Sequence, residues 1–486
     1  MSELKKKIFK QFSWQVLGRL LINILALVNL SLCVKYLGPQ DYGYFTLGIS
    51  FVQIFGIIAD FGLYLITLDY LGRVGQSTDD HQGEQNAKKQ FLLNNLFSLR
   101  FFAALIFYVI TALAAFASGY PDVVKNTIYI FVVYFFSLTL VQFLSAICQK
   151  DFYAEKIVKA DIASKVILFL LLLTIRRLDL GFYLLVVFYT ISGLLNFAFL
   201  FFYVRRREMI KFSFDFSFWL KIIKKIWPLG LAAIFNIIYF KVDTLILAHY
   251  HSTAEVGLYG AVYRVFEACI AIPPLFLGLI LPQLAASQMN NDYNRFQNIF
   301  QRSFEFLALI AIPIAFLCLA KGREIMEIIG GDKFIPAGRL LAIIGVAIGF
   351  LFVGELFKQV VVVIEKQKQA LFLYFTIMVL SLGGYFLFIP PYAAEGAAWV
   401  TVFSEFLMLL LSIIFFWRYS RVKIKFLFLS KGLIAGLLMY LFLAYCHNLN
   451  FYLSLLIGGG LYCILIVMLK AISRKEVQEL LRGFIK

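Results

Sequence analysis

The chain has 486 residues, of which 62% are hydrophobic and only 15% are charged, and its mean hydropathy is +0.86. Soluble domains carry about 45–50% apolar and about 25% charged residues, so a soluble fold would leave much apolar surface in water. The net charge of +17 is concentrated in short basic clusters between apolar runs. That distribution is typical of membrane proteins and speaks against a nucleic-acid partner.

The apolar runs predict the number of membrane crossings, because a bilayer core takes roughly 20 helical residues to span. Turn-forming segments such as Gly38-Pro39 separate many of the runs. The predicted spans are 12–36, 42–69, 90–118, 125–149, 160–178, 181–204, 227–250, 257–285, 299–320, 340–363, 370–390, 394–417, 432–449 and 450–469. The predicted fold class is therefore an all-α integral membrane protein with about 14 transmembrane helices.

The basic residues predict the orientation. The two tails and the even-numbered loops hold 31 Lys and Arg, whereas the odd-numbered loops hold eight. An excess of Lys and Arg marks the cytoplasmic side, so we expect both termini to be cytoplasmic in a multi-pass membrane protein. The six cysteines lie in apolar stretches without metal-ligand spacing, and we expect no metal and no cofactor.

A basic segment lies midway between the first and the twelfth span. Phe214, Phe218, Ile222 and Ile226 recur every four residues, with lysines off that stripe, which predicts an amphipathic helix at the membrane interface. A weak internal repeat, Tyr36–Ser50 against Tyr250–Arg264, supports two six-span lobes around a central cavity. The predicted division is an N-terminal lobe (1–213), the linker helix (214–226), a C-terminal lobe (227–430), and the last two spans with the tail (431–486).

The segment 34–63, VKYLGPQDYGYFTLGISFVQIFGIIADFGL, resembles the first-loop-and-second-span signature of polysaccharide transporters of the O-antigen flippase type. These belong to the multidrug/oligosaccharidyl-lipid/polysaccharide exporter superfamily. The resemblance implies a flippase in the bacterial cytoplasmic membrane that moves undecaprenyl-pyrophosphate-linked oligosaccharide to the periplasmic leaflet by alternating access. It implies the lipid-linked oligosaccharide and membrane lipids as partners, and leaves open a polymerase or assembly machinery and coupling to a Na⁺ or H⁺ gradient.

Charged residues inside spans are candidates for function, because a charge near the bilayer centre costs at least about 2.5–3.5 kcal/mol. Arg100 lies near the midplane and Lys241 is similarly deep, and interhelical ion pairing is the alternative role for both. The candidate substrate-binding residues are Arg100, Lys241, Arg19 and Arg264. The candidates for ion coupling or gating are Asp60, Asp243, Glu267 and Glu355, of which Glu267 and Glu355 can also pair with Arg264 and Lys358 on their own helices.

Two alternative functions can be compared with the same sequence features. An ion-coupled small-molecule or drug antiporter would use buried carboxylates and favour cationic substrates, whereas the buried cations here favour an anionic one. A membrane polysaccharide polymerase or ligase needs a sizeable extramembrane loop, and the longest hydrophilic loop, 70–89, is about 20 residues long and predicted to be cytoplasmic. We therefore expect a transporter that is not an enzyme, with no catalytic residues.

Overall fold

The computed structural model describes residues 3–74, 82–150, 153–364, 366–420, 422, 424–446 and 450–471. All the secondary-structure elements in these ranges are helices, which confirms the all-α integral membrane fold. The chain divides into two compact units, Met1–Gly260 and Ala261–Lys486. This division reflects contacts within each unit, whereas the predicted lobe boundaries rest on the internal repeat. The lobe boundaries therefore remain a prediction.

Seven helices lie within the first unit, and an eighth runs from it into the second. They are α1 (Glu3–Asp60), α2 (Leu63–Val74), α3 (Gln82–Ala117), α4 (Asp122–Lys150), α5 (Ala154–Leu178), α6 (Phe182–Arg205), α7 (Phe216–Tyr250) and α8 (Thr253–Ile270). Helix α1 packs against α3, α4, α5 and α7. Apolar side chains of α2, α3, α4, α6 and α7 form one buried cluster that includes Leu93, Phe143 and Ile222.

The second unit contains α9 (Ile272–Met289), α10 (Tyr293–Gly330), α11 (Ala337–Val363), α12 (Gln367–Tyr419), α13 (Leu427–Tyr445) and α14 (Phe451–Met468), with a short 3₁₀ turn at Asp332–Phe334. Helix α11 packs against α10 and α12, and α13 packs against α10. Phe300 and Phe416 stack with ring centroids 4.5 Å apart, and Phe357 meets both rings edge-on. Aromatic packing therefore holds the centre of this unit together.

Within the described residues, 11 helical stretches are long and apolar enough to cross a membrane. Lys368–Tyr419 contains two predicted spans, and Leu17–Asp60 contains most of two. The second of these, 42–69, continues past the turn at Phe61 into α2. Non-helical backbone divides these two helices, at Gly38 (φ 70°) in α1 and at Ala393 (φ 50°) in α12. The remaining predicted span, 160–178, lies in α5, whose charged residues make it less apolar than these 11 stretches. It packs between α1 and α6.

The basic linker differs from the prediction in one respect. The predicted interfacial helix and the seventh span form a single helix, α7, of 35 residues with Pro228 inside it. Asp215 caps its start by accepting a hydrogen bond from the Phe218 backbone N–H (2.9 Å). Proline removes the backbone donor that the Lys224 carbonyl would need, and Lys224 is exposed, where water can satisfy that carbonyl.

The two segments of the internal repeat meet where α1 crosses α8. A Cβ placed on Gly43 would lie 1.8 Å from the Thr253 carbonyl oxygen. A Cβ placed on Gly257 would lie 1.9 Å from the Pro39 carbonyl oxygen. Thr253 is the repeat equivalent of Pro39, and Gly257 is the equivalent of Gly43, so the contact is reciprocal.

Candidate functional site

Arg100 lies at the centre of α3 and is completely buried. Its Nε donates to the Thr139 backbone carbonyl (3.0 Å) and its Nη2 donates to Gln142 Oε1 (2.5 Å), both on α4. Nη2 also donates to the Asp60 carboxylate, which forms an ion pair with it. The structure therefore gives the membrane-embedded Arg100 an acidic partner on another helix, 40 residues away in the chain.

The end of α1 presents Asp60 to this guanidinium. Phe61 (φ 41°) and Gly62 (φ 80°) both have left-handed backbone, which ends α1 at Asp60 and begins α2 at Leu63. A glycine adopts this conformation without steric cost, whereas Phe61 is strained. The Phe61 ring packs against the backbone of Gly230 on α7, where a Cβ would lie 2.6 Å from the ring. Packing of Phe61 therefore fixes the turn that positions Asp60.

Further polar groups lie near the Arg100–Asp60 ion pair. The Tyr108 hydroxyl and Thr139 Oγ1 are hydrogen-bonded (3.0 Å) on the α4 side of Arg100. Arg100 Nη1 is buried and has no hydrogen-bond partner among the described residues. A charged donor in this position can bind an acceptor without breaking the bonds that Nε and Nη2 already make.

Sequence reasoning did not identify Thr139, Gln142 and Tyr108. Gln142 carries a signal, since it is an amide in the middle of an apolar span and lies three residues from Thr139, on the same helix face. Tyr108 lies eight residues after Arg100, about two turns along α3, and an isolated tyrosine in a span carries no comparable signal.

Lys241 and Asp243 lie near the end of α7, and both are buried. The Asp243 carboxylate accepts hydrogen bonds from the Tyr259 hydroxyl (2.5 Å) and from the backbone N–H (2.6 Å) and Oγ1 (3.2 Å) of Thr244. The charge of Lys241 also acts on it. Hydrogen bonds from α7 and α8 therefore hold this acid close to the charge of Lys241, whereas Asp60 is hydrogen-bonded to an arginine.

The other two candidate substrate-binding cations, Arg264 and Arg19, are less buried than Arg100 and Lys241. Arg264 donates to Glu267 on the same helix (2.8 Å), as the spacing predicts, and both side chains are partly exposed. Arg19 is exposed on α1, and its charge acts on Asp161 of α5. Arg100 and Lys241 are thus the buried members of the predicted substrate-binding set, and the substrate-binding role of all four stays a prediction.

Glu355 belongs to a buried charged group in the second unit. It is bonded to Lys358 (2.6 Å) and accepts a hydrogen bond from Gln359 Nε2 (2.9 Å) on the same face of α11. The charge of Glu405, which is buried on α12, acts on the same lysine. Glu405 is buried and charged like the candidates for ion coupling. Its interaction with Lys358 joins two helices, so the sequence spacing could not predict it.

Three solved structures show what this fold is similar to. A lipid II flippase MurJ in an inward closed conformation superposes with a TM-score of 0.72 at 14% identity, covering 93% of this chain and 97% of that one. An inward-facing multidrug resistance MATE family transporter of the MOP superfamily gives 0.66 at 13%, covering 89% and 99%. A MOP superfamily transporter from Pyrococcus furiosus, described as having a binding pocket of reverse polarity, gives 0.54 at 14%, covering 90% and 94%. The chain therefore shares the all-α fold of these transporters.

Residues 34–339 match the family model described as polysaccharide biosynthesis protein. The match covers more than half of the chain, which therefore belongs to this family. It begins at the first residue of the signature segment 34–63 and includes Arg100, Asp60 and Asp243. No curated protein sequence matches the chain.

Proposed function

We propose that this protein flips undecaprenyl-pyrophosphate-linked oligosaccharide from the cytoplasmic to the periplasmic leaflet of the bacterial cytoplasmic membrane. The observation that carries the proposal is the completely buried Arg100 at the middle of a membrane-spanning helix, bonded to the half-buried Asp60 and the exposed Gln142, in a member of a polysaccharide biosynthesis family. The protein acts as a transporter and carries out no covalent chemistry.

The substrate explains why such a network is needed. Each sugar hydroxyl that loses water without gaining a partner costs roughly 2–7 kcal/mol, so a bare oligosaccharide faces a barrier of tens of kcal/mol in hydrocarbon. A polar, cationic path through the protein lowers that barrier for the headgroup, while the polyprenyl tail stays among the lipids.

Arg100 supplies the anion-binding group in this proposal. A guanidinium binds phosphate oxygens in pairs through its planar set of donors. Nη1 of Arg100 is unpartnered in the described part of the chain, and Asp60 already occupies Nη2. Pyrophosphate would bind Nη1 first and then displace Asp60, so that Asp60 neutralises Arg100 between transport cycles.

The crossing of Gly43 with Gly257 supplies the closure on the periplasmic side. Both glycines lie just after turns that the charge pattern places outside the cytoplasm. Backbone contact at this point leaves no room for a headgroup between α1 and α8. Release to the periplasm would therefore require the two helices to separate, as alternating access demands.

An ion-coupled drug antiporter is the second candidate. It is favoured by Asp243, a fully buried carboxylate held by neutral donors and suited to binding H⁺ or Na⁺, and by the likeness to a multidrug MATE transporter. The same carboxylate can couple a flippase to an ion gradient, so Asp243 alone does not separate the two. The substrate must be identified directly.

The test is deletion of the gene, followed by mass spectrometry of the cell's undecaprenyl-linked glycans and measurement of drug sensitivity. A flippase predicts that a lipid-linked oligosaccharide accumulates in the cytoplasmic leaflet and surface glycan is lost, while sensitivity to cationic drugs stays unchanged. A plasmid copy of the gene must restore the glycan, which controls for effects on neighbouring genes.

Unchanged lipid-linked glycans together with a several-fold increase in drug sensitivity would replace this proposal with the antiporter. Accumulation of an unpolymerised glycan already in the periplasmic leaflet would instead indicate a polymerase or ligase step.

A further inference from the structure

The first three turns of α7 have three distinct faces, and the first of these is apolar and exposed. Phe216, Leu220, Ile223 and Trp227 are 67%, 57%, 42% and 46% exposed. Their spacing of four, three and four residues places them in one row along the helix. Four large apolar side chains in an exposed row require an apolar medium or a partner.

The second face packs against the protein. Ile222 and Ile226 are almost completely buried, and Phe218 meets the rings of Tyr70 and Phe91 edge-on at 6.1 and 5.5 Å. This contact with α2 and α3 fixes the rotation of the helix about its own axis. The exposed apolar row is therefore held permanently away from the core of the unit.

The third face is basic. Lys221 and Lys224 are exposed and lie three residues apart, with Ser217 on the same side. Lys225, at the edge of this face, is bonded to Asp69 (2.9 Å) and lies over the Tyr70 ring. Lys221 and Lys224 thus lie side by side on this face, whereas the exposed Lys225 is paired with Asp69.

The preceding linker, residues 206–215, is hydrogen-bonded to α3 and holds this helix start in place. Backbone N–H groups of alternate linker residues donate to α3 side chains: Lys211 to Asn94 (2.9 Å), Ser213 to Ser98 (2.8 Å) and Asp215 to Asn95 (2.9 Å). The intervening Phe212 and Phe214 pack against phenylalanines of α3. The basic face is therefore displayed from an ordered backbone.

Helix length places this region at the membrane boundary. At about 1.5 Å per residue, the 35 residues of α7 extend for about 52 Å, which exceeds the roughly 30 Å hydrocarbon core. The excess is about 15 residues, and the basic face occupies the predicted cytoplasmic end. One face of this end thus meets protein, one suits acyl chains and one suits headgroups.

We propose that the start of α7 is a binding site for anionic phospholipid, with the lipid phosphate between Lys221 and Lys224 and its acyl chains along the row from Phe216 to Trp227. The charge of the lysines selects an anionic headgroup, and the neighbouring apolar row selects a lipid over a soluble phosphate. The site is independent of the transported substrate.

The test is native mass spectrometry of the detergent-purified full chain with phosphatidylglycerol or phosphatidylcholine added. The wild type should retain phosphatidylglycerol in preference, and Lys221→Gln/Lys224→Gln should reduce that preference by at least about fivefold, since each lysine near an anionic lipid contributes roughly a fivefold gain. Arg176→Gln/Arg177→Gln is the matched control, because it removes two exposed charges at the far end of α5 and should leave the preference unchanged.

Two measurements on the wild type need no variant. Raising the salt concentration should weaken phosphatidylglycerol retention more than phosphatidylcholine retention, because exposed charges are screened. Millimolar glycerol 3-phosphate should not displace the lipid, because it lacks the acyl chains. Equal retention of both lipids by the wild type, unchanged preference in a folded lysine variant, or displacement by glycerol 3-phosphate would each overturn the proposal.

Discussion

Gly43, in the second half of α1, and Gly257, in α8, are in backbone contact, and each lies just after one of the two equivalent turns of the internal repeat. A Cβ on Gly257 would lie 3.0 Å from the Gly43 backbone nitrogen, and a Cβ on Gly43 would lie 3.3 Å from the Gly257 nitrogen. The adjoining side chains Tyr42, Val256 and Tyr259 are completely buried. Small residues allow this approach between membrane helices, where packing replaces the hydrophobic effect as the driving force.

The first prediction concerns this crossing. Gly43→Ala should destabilise the protein by about 1–3 kcal/mol, because the new methyl group cannot fit beside the Thr253 carbonyl oxygen unless the helices separate. Gly257→Ala should have a similar effect. The double variant should cost less than the two effects added together, because a single separation accommodates both methyl groups. Thermal unfolding in detergent measures all three.

The control for the glycine variants is Gly383→Ala, in helix α12, where an added Cβ meets nothing within 4 Å. This substitution should be neutral or slightly stabilising, as alanine is favoured over glycine inside helices. If Gly43→Ala is as stable as the control, the close crossing is not a feature of the folded protein.

The positions of the membrane-spanning segments could be predicted because length and hydropathy determine them directly. The turn at Gly38-Pro39 and the break at Ala393 fall between predicted spans, although the backbone on both sides is helical. The continuity of α7 could not be predicted, because the change from amphipathic to apolar pattern at Pro228 resembles the junction of two helices.

The candidate site was predictable only in part. Arg100 and Asp60 could be identified because a charged residue inside an apolar span is visible in the sequence without knowledge of its neighbours in space. Their pairing joins residues on two helices and depends on the turn at Phe61 and Gly62, which sequence spacing does not encode. By contrast, the pairs Arg264–Glu267 and Glu355–Lys358 lie within one helix turn and could be read from spacing.

The second prediction concerns topology. The asymmetry of 31 against eight basic residues predicts that reporters fused after Lys486 or within residues 205–225 are cytoplasmic, and that one near Pro121 is periplasmic. Paired alkaline phosphatase and fluorescent protein fusions measure this. A periplasmic C-terminus would require an odd number of spans and would contradict the two six-span lobes.

The third prediction concerns the anchored linker. Asn95→Ala removes the amide that accepts from the Asp215 N–H (2.9 Å) and donates to Ser213 Oγ (3.1 Å), leaving partly buried groups unsatisfied. We expect a loss of about 1–3 kcal/mol in unfolding free energy and faster proteolytic cleavage within 206–215. Asn126→Ala, at an exposed asparagine, is the matched control and should change neither measurement. Slow cleavage in a destabilised Asn95→Ala variant would show that other contacts hold the linker.

The fourth prediction separates coupling from structure at Asp243. Asp243→Asn keeps an oxygen that accepts from Thr244, and its amide NH2 can donate to the Tyr259 hydroxyl oxygen in place of the bond that Oδ2 accepts. The substitution removes the charge, so the protein should stay folded. If Asp243 binds the coupling ion, this variant should lose glycan export, whereas Tyr259→Phe should retain export at reduced stability. Full export by a folded Asp243→Asn variant would exclude Asp243 as the coupling residue.

The fifth prediction concerns Arg100 and Asp60. Under the substrate-binding proposal, Arg100→Ala should abolish surface-glycan display while the protein remains in the membrane, and Arg100→Lys should restore display only partly, because lysine lacks the paired donors. Under a purely structural role, Arg100→Ala leaves the Asp60 carboxylate without its ion pair and should destabilise the protein by about 3–5 kcal/mol.

The double variant Arg100→Ala/Asp60→Asn decides between these roles, because it removes both charges together. A structural pair predicts that the added Asp60→Asn restores both protein level and glycan display. A substrate-binding Arg100 predicts that protein level recovers while display stays absent, since no guanidinium remains to bind pyrophosphate. Both quantities are measured in one complementation strain, with Asp60→Asn alone as the control for loss of the acid. Normal display by a well-expressed Arg100→Ala variant would remove Arg100 from the proposed site and leave the transporter fold unaffected.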